Sequence, residues 1–171
     1  MQAWCCPWPA AFLIAALLWP TELAAYLSWT MTIHGTSMAP RLADGERIVV
    51  QEPFCGAPLA RGDIVVFLSD ALQMPLIKTI RGLAGDRLAV EGDRFLINGK
   101  IALNSQAEPY RLGSHRIAML DLYARDYHGV IPAGTMLVMG EAPSGTLDSS
   151  RFGLVELKKI IARFEMKAVL N

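Results

Sequence analysis

Ser37 and Lys78 are the two residues of this 171-residue chain whose types and settings suit covalent chemistry together. A serine hydroxyl is a weak nucleophile until a base takes its proton, and a lysine amine is such a base only when neutral, which apolar surroundings favour by penalising the ammonium. Lys78 lies in "PLIKTI", where strand alternation puts Leu76, Lys78 and Ile80 on one face, so that an inward Lys78 sits among aliphatic side chains. Ser37 lies in "HGTSMAPRL", residues 34–42, a stretch of loop-forming types. Each has a plainer reading when taken alone: a Ser-Met-x-Pro tetrapeptide is a turn, and a lysine in a short strand keeps a sheet edge soluble. The chain offers no convincing Ser-His-Asp set, because His34, His115 and His128 are far apart and read as surface or loop residues. No CxxC or His/Cys cluster has zinc-ligand spacing, so neither a metal ion nor a cofactor is expected. Cys5, Cys6 and Cys55 form no disulfide framework.

These residues must be positioned by an unusually apolar chain, with 53% hydrophobic and 19% charged residues and a net charge of +0. Much of the apolar excess is N-terminal, where Glu22 is the only charged side chain before Arg41. The runs Ala10–Trp19 and Leu23–Ile33 together exceed the roughly 20 residues that cross a bilayer as a helix. Trp4, Trp8, Trp19, Tyr26 and Trp29 suit the water interface, and Pro20 should kink any helix containing it. Residues 1–33 therefore read as a membrane anchor. A cleaved leader is the weaker alternative, since no Lys or Arg precedes the apolar run.

Residues 34–171 read as one β-rich domain. The runs "RIVVQ", "DIVVFL", "LIKTI", "RLAV" and "RFLING" are short, β-branched or aromatic, and separated by glycine-containing turns. Asn98-Gly99 marks a tight hairpin, because both residues accept positive φ. Residues 103–128 read as an irregular insertion, and "LKKIIARFEMKAVL" fits either a short helix or a last strand. "GLAGD" lacks the Lys and Ser/Thr of a phosphate loop, and no basic stripe suggests nucleic acid.

Three motifs give Ser37 and Lys78 company. "GTSMAPRL", "IKTIRGLAGDRL" and "MLVMGEAPSGTLDSSRFG" occur in that order behind the apolar N-terminus, and together they resemble the boxes of the type I signal peptidases, a family of serine–lysine peptidases. The first is similar to the nucleophile box Gly-x-Ser-Met-x-Pro-Thr-Leu, and the second to the lysine box with its Gly-x-x-Gly-Asp run, here Gly82, Gly85 and Asp86. The third resembles Met-Gly-Asp-Asn followed by Ser-x-Asp-Ser-Arg and a glycine. Departures are Arg41 for Thr, Ala84 for Pro, Glu141-Ala142 for Asp-Asn and Thr146 for Ser. Asp148 and Ser149 align, but Ser150 falls on the family's arginine and Arg151 comes one residue late. The small size, reduced insertion and "DSSRFG" variant look closer to short members that mature pilin or related precursors in conjugative transfer.

The resemblance implies a mainly β, barrel-like catalytic domain on an N-terminal transmembrane helix, acting on precursor proteins that carry leader peptides at a lipid bilayer. It implies Ser37 as nucleophile and Lys78 as general base, with the Ser37 N–H and Thr36 at the oxyanion. Thr146, with its hydroxyl toward the lysine, Asp148 and Ser149 would support them, and Gly35, Met38, Pro40 and Ile77 would form the substrate pocket. It also places the catalytic domain on the outer face of a bacterial inner membrane, against a weak charge bias from Arg41 and Arg47 that favours the cytoplasm. Two other readings share these features: a tethered β-domain that binds leaders or a secretion partner without cutting, and a self-cleaving repressor type. The second is disfavoured by the anchor and by the lack of a DNA-binding helix-turn-helix.

Overall fold

A computed structural model describes residues 28–53, 58–69 and 72–164. The expected anchor lies outside the described residues up to residue 27, as do Cys5, Cys6 and Cys55. Among the described residues no helix is long and apolar enough to cross a membrane. The last part of the expected anchor is corrected: Ser28–Thr32 is strand β1, paired antiparallel with β2 (Arg47–Gln51). Ser and Thr alternate with Trp29 and Met31 there, a period of two that marks a strand.

The chain continues through β3 (Ile64–Ser69), β4 (Met74–Leu83), β5 (Leu88–Glu91), β6 (Arg94–Ile97), β7 (Lys100–Ile101) and helix α1 (Ser114–Asp126). Strand β8 (Thr135–Met139), the single turn α2 (Ser149–Phe152), β9 (Val155–Glu156) and β10 (Ile160–Phe164) follow. Among the described residues seven strands form one sheet in the order β1-β2-β10-β3-β4-β8-β9, and β5-β6-β7 form a second. The expectation of a mainly β domain holds, but among the described residues the barrel does not close, since β1 and β9 stand at opposite ends of the sheet order.

Three apolar clusters hold this arrangement. Ile48 and Val50 of β2 point inward beside Ile64 and Val66 of β3, with Met38 and Leu42 from the loop after β1 capping them. Val65 and Phe67 of β3 join Ile80 of β4, Met136 and Val138 of β8 and Ile160 of β10 in the second cluster. The third joins the small sheet to α1 through Phe95, Tyr110, Leu120 and Ile131. The ambiguous tail resolves as a 3-10 turn (Leu157–Lys159) and then β10, which buries Ile160 and Ala162 between β2 and β3.

Two local features shape the site. Asn98 and Gly99 have φ of 53° and 76° and close the β6–β7 hairpin between Ile97 and Lys100, as the sequence predicts. In β4 the register with β8 slips between Ile80 and Gly82, so Arg81 sits at a bulge. Bulges re-aim a side chain, and here they send the Arg81 guanidinium to Tyr110 and Glu141. The insertion at 103–128 is more regular than expected, because it contains α1.

Candidate active site

Ser37 stands on the turn between β1 and β2. Gly35, at φ 88°, donates its N–H to Asp44 at 2.8 Å, and the Ala39 N–H returns to the Thr36 carbonyl at 3.0 Å. The next residue, Met38, is 1% exposed and anchors the turn in the core. From the other side, the Glu141 N–H donates to the Ser37 carbonyl at 2.9 Å and ties the turn to the end of β8. Ser37 is thus fixed at both its flank and its own carbonyl.

Lys78 is 2% exposed and pairs in register with Val65, which is fully buried. Leu76 and Ile80 on either side pack with Val65 and Phe67, the aliphatic setting that alternation predicts. Its Nζ lies 2.8 Å from Ser37 Oγ and donates to the Ile77 carbonyl at 2.7 Å. Burial pushes the amine down from its ordinary 10.5 to about 8, while the Asp148 carboxylate pulls the other way. Near neutral pH a usable fraction is therefore unprotonated, and along the 2.8 Å line the neutral amine can accept the Ser37 proton.

The Asp148 carboxylate is fully buried, and backbone and hydroxyl donors surround it. As the N-cap of α2 it accepts from the Ser150 N–H at 3.1 Å and the Ser150 hydroxyl at 2.6 Å. Its other oxygen accepts from the Thr146 N–H and hydroxyl, both at 2.8 Å, and from the Gly140 N–H at 3.2 Å. The Thr146 hydroxyl is therefore spent on Asp148, two residues on, and not on the lysine as expected. Ser149 is buried and accepts from the Val138 N–H at 2.9 Å, fastening α2 to β8. Gly140 lets these pieces meet, since a Cβ there would lie 2.7 Å from the Ser37 carbonyl oxygen and overlap Thr146.

A second buried carboxylate braces the site. Glu141 accepts from the Thr79 hydroxyl at 2.6 Å, from Arg81 at 3.1 Å and from the Ser105 N–H at 2.8 Å, with Arg41 at 3.9 Å. Arg41 also donates to the Gly62 carbonyl at 3.0 Å. Two departures from the family motifs, Arg41 and Glu141, thus meet at one ion cluster. Tyr110 completes it: its hydroxyl accepts from Arg81 and donates to the Gly140 carbonyl at 2.7 Å, and burial raises it to about 12, so it stays a donor.

Burial alone pushes the Glu141 carboxyl up, but the hydrogen bonds from Thr79 and Ser105 and the charge of Arg81 outweigh it and hold the carboxyl below 4.5. Its folded value is thus below the unfolded one. The stability it contributes is full above the ordinary value and is lost as pH falls through the folded one. Glu141→Gln should cost about 1–3 kcal/mol at pH 7 and flatten the loss of melting temperature on acidification. A variant that melts like the parent at every pH would show the cluster to be inert.

Beside Ser37 and Lys78 lies a cleft of about 250 Å³, lined chiefly by Met31, Ile33, Val66, Leu76 and Ile77, with His34 at its margin. Of the expected pocket residues only Ile77 lines it. Met38 is corrected to the core, because its side chain is needed to seat the turn. Gly35 and Pro40 are exposed and lie outside the lining. Thr36 is exposed next to Ser37. The bracing roles of Arg81, Tyr110 and Arg116 emerge only from the fold. Arg81 was visible as the basic residue of the lysine motif, whereas Tyr110 and Arg116 sit in the aperiodic insertion.

The chain matches the family model for signal peptidase, peptidase S26, over residues 5–169. It is 32% identical over 160 residues to signal peptidase I of Bacillus licheniformis, covering 90% of this chain and 82% of that protein. To signal peptidase IB of Staphylococcus aureus (strain COL) it is 30% identical over 148 residues, covering 80% and 75%. A solved signal peptidase I from Enterococcus faecalis V583 aligns with a TM-score of 0.41 and 23% identity over 61% of this chain and 94% of that one.

Proposed function

The chain belongs to the signal peptidase family, peptidase S26, and is a serine endopeptidase of that type; on that premise we propose that it removes leader peptides from exported precursors with Ser37 as nucleophile and Lys78 as general base. The observation that carries the assignment is the 2.8 Å approach of a buried lysine amine to the serine hydroxyl. Lys78 takes the hydroxyl proton as Ser37 Oγ bonds to the scissile carbonyl carbon, and returns it to the leaving amine as the C–N bond breaks. A water then gives a proton to Lys78 as its oxygen bonds to the acyl carbon, and as the Ser37 Oγ–C bond breaks Lys78 returns that proton to Oγ, which releases the acid and restores the neutral amine. The oxyanion is held by the Ser37 N–H with Thr36 beside it.

The open sheet supplies the substrate track. β4 pairs with β8 only from Thr79 onward, so the outer edge of Met74–Lys78 is left without a strand partner among the described residues, as is the outer edge of β1. The apolar cleft lies between these two segments. An extended leader segment adds there as a strand, places small side chains in the cleft and presents its carbonyl to Ser37. The N-terminal apolar stretch anchors the enzyme in a bacterial inner membrane with the catalytic domain on the extracytoplasmic side, where leaders emerge. The compact insertion and the altered last motif support a pilin-like or conjugation-system precursor as substrate.

The reading predicts that the full chain in detergent or bilayer cuts such a precursor at one bond after small residues, and that an acylating serine probe adds to Ser37, detected by mass spectrometry. Binding of the leader without cleavage and without labelling would overturn it in favour of a non-catalytic tether. Protease accessibility in spheroplasts checks the side of the membrane, and the precursor that accumulates when the protein is absent identifies the substrate.

A further inference from the structure

We propose that Arg116, carried by α1 in the insertion, is a positioning residue that fixes Asp148 and balances its charge beside the base, a role that rests on the Ser37–Lys78 reading. Its Nη1 donates to the Thr146 carbonyl and, at 2.8 Å, to the Ser150 hydroxyl, and it lies 3.8 Å from Asp148 Oδ1. Ser150 in turn donates to that same oxygen at 2.6 Å, so the guanidinium acts on the carboxylate directly and through one hydroxyl. Both ends of the Thr146–Ser150 segment are therefore held from outside it.

The need for a distant arginine follows from α2. Ser149 and Ser150 fill the buried side of this single turn, and Arg151 is left exposed at the rim of an open cavity that Arg116 and His115 also line. A guanidinium that α2 directs outward cannot reach Asp148, so α1 supplies one. The helix is rigidly seated for this: Leu120 is buried with Phe95 and Tyr110, and Tyr123 packs so closely on Gly153 that a Cβ there would overlap its ring. One helix thus clamps α2 at both ends.

The charges around the pair are few. Asp148 faces Arg116 and the more distant Lys78. His115 on α1 and Arg151 on α2 line the same open cavity as Arg116, His34 lines the cleft beside Lys78, Tyr110 also feels the Asp148 charge, and Glu141 is engaged by Arg41 and Arg81. Removing the Arg116 charge leaves Asp148 free to stabilise the Lys78 ammonium more strongly, which demands a higher pH before the base is neutral.

The test is the pH profile of precursor cleavage by the full chain. In Arg116→Ala and Arg116→Gln the acid limb of kcat should move up by about one pH unit, giving about a tenfold loss at pH 7 with KM nearly unchanged. Arg116→Lys should restore the limb. Glutamine keeps a donor but not the charge, so it separates charge from packing and decides the matter if the alanine variant fails to fold. A limb that stays in place while the melting temperature falls would overturn the proposal and leave Arg116 a structural brace. Ser37→Ala, run alongside, keeps the two readings apart: if it still cleaves, the dyad is wrong, whereas if it is dead and the limb does not move, only the role of Arg116 is wrong.

Discussion

Lys78→Met is expected to abolish cleavage while raising the melting temperature at pH 7. Loss of the base leaves Ser37 protonated and should cost about 10⁴-fold or more in kcat. The stability gain follows from where the proton binds. The native amine titrates near 8, below its ordinary 10.5, so the unfolded chain holds the proton more tightly than the folded one. The resulting cost of roughly 3 kcal/mol is present in full below pH 8 and disappears as pH rises toward 10.5. Methionine fills the same space without a charge, but it leaves the Ile77 carbonyl and the Ser37 hydroxyl without their donor, at about 1 kcal/mol each. The balance is a gain of about 1 kcal/mol at neutral pH, or a few degrees of melting temperature. At pH 10.5 the gain should reverse. A variant less stable than the parent at pH 7 would mean that the buried amine carries no such cost. For the parent, cleavage should rise with pH through about 8, as a single group loses its proton.

Gly140→Ala should lose about 10²–10³-fold in activity and about 2–3 kcal/mol in stability, out of proportion to one methyl group. The added carbon meets the Ser37 carbonyl oxygen at 2.7 Å and overlaps Thr146. Neither can yield freely: the carbonyl is held by the Glu141 N–H, and Thr146 is held twice by Asp148. Relief is expected to shift the Ser37 turn, which disturbs the 2.8 Å contact with Lys78 on which the proposed proton transfer depends. Adding Thr146→Ala removes half of the clash and should return part of the stability but little of the activity. Full activity in the single variant, measured against a precursor, would show that the turn adjusts without consequence.

How much of this could be read from the sequence varies with the range of the interaction. The burial of Lys78 follows from local alternation, and the Asn98-Gly99 hairpin from two residues that accept positive φ. β1 was legible too, since Ser28, Thr30 and Thr32 alternate with Trp29 and Met31, but the apolar run before it masked the change of period. The insertion was not legible. α1 buries only Leu120, so its sequence carries almost no helical stripe, and nothing local connects Arg116 to Asp148, 32 positions on. Likewise Arg41 and Glu141 each stand as an isolated departure along the chain and become a pair only when the Ser37 turn meets the end of β8.

The position of β10 sets a rule for biosynthesis. Residues 160–164 lie between β2 and β3, so the two halves of the large sheet share no ladder until almost the whole described chain has been made. β1 and β2 share a backbone ladder with β3 and β4 only through that strand, although Ile48 and Val50 also pack directly on Ile64 and Val66 and the Glu141 N–H holds the Ser37 carbonyl. Such a nonlocal closing step makes folding slow and concerted rather than progressive from the N-terminus. A chain that already contains both residues but not yet β10 therefore lacks the strand that laces the two halves of the large sheet into one ladder.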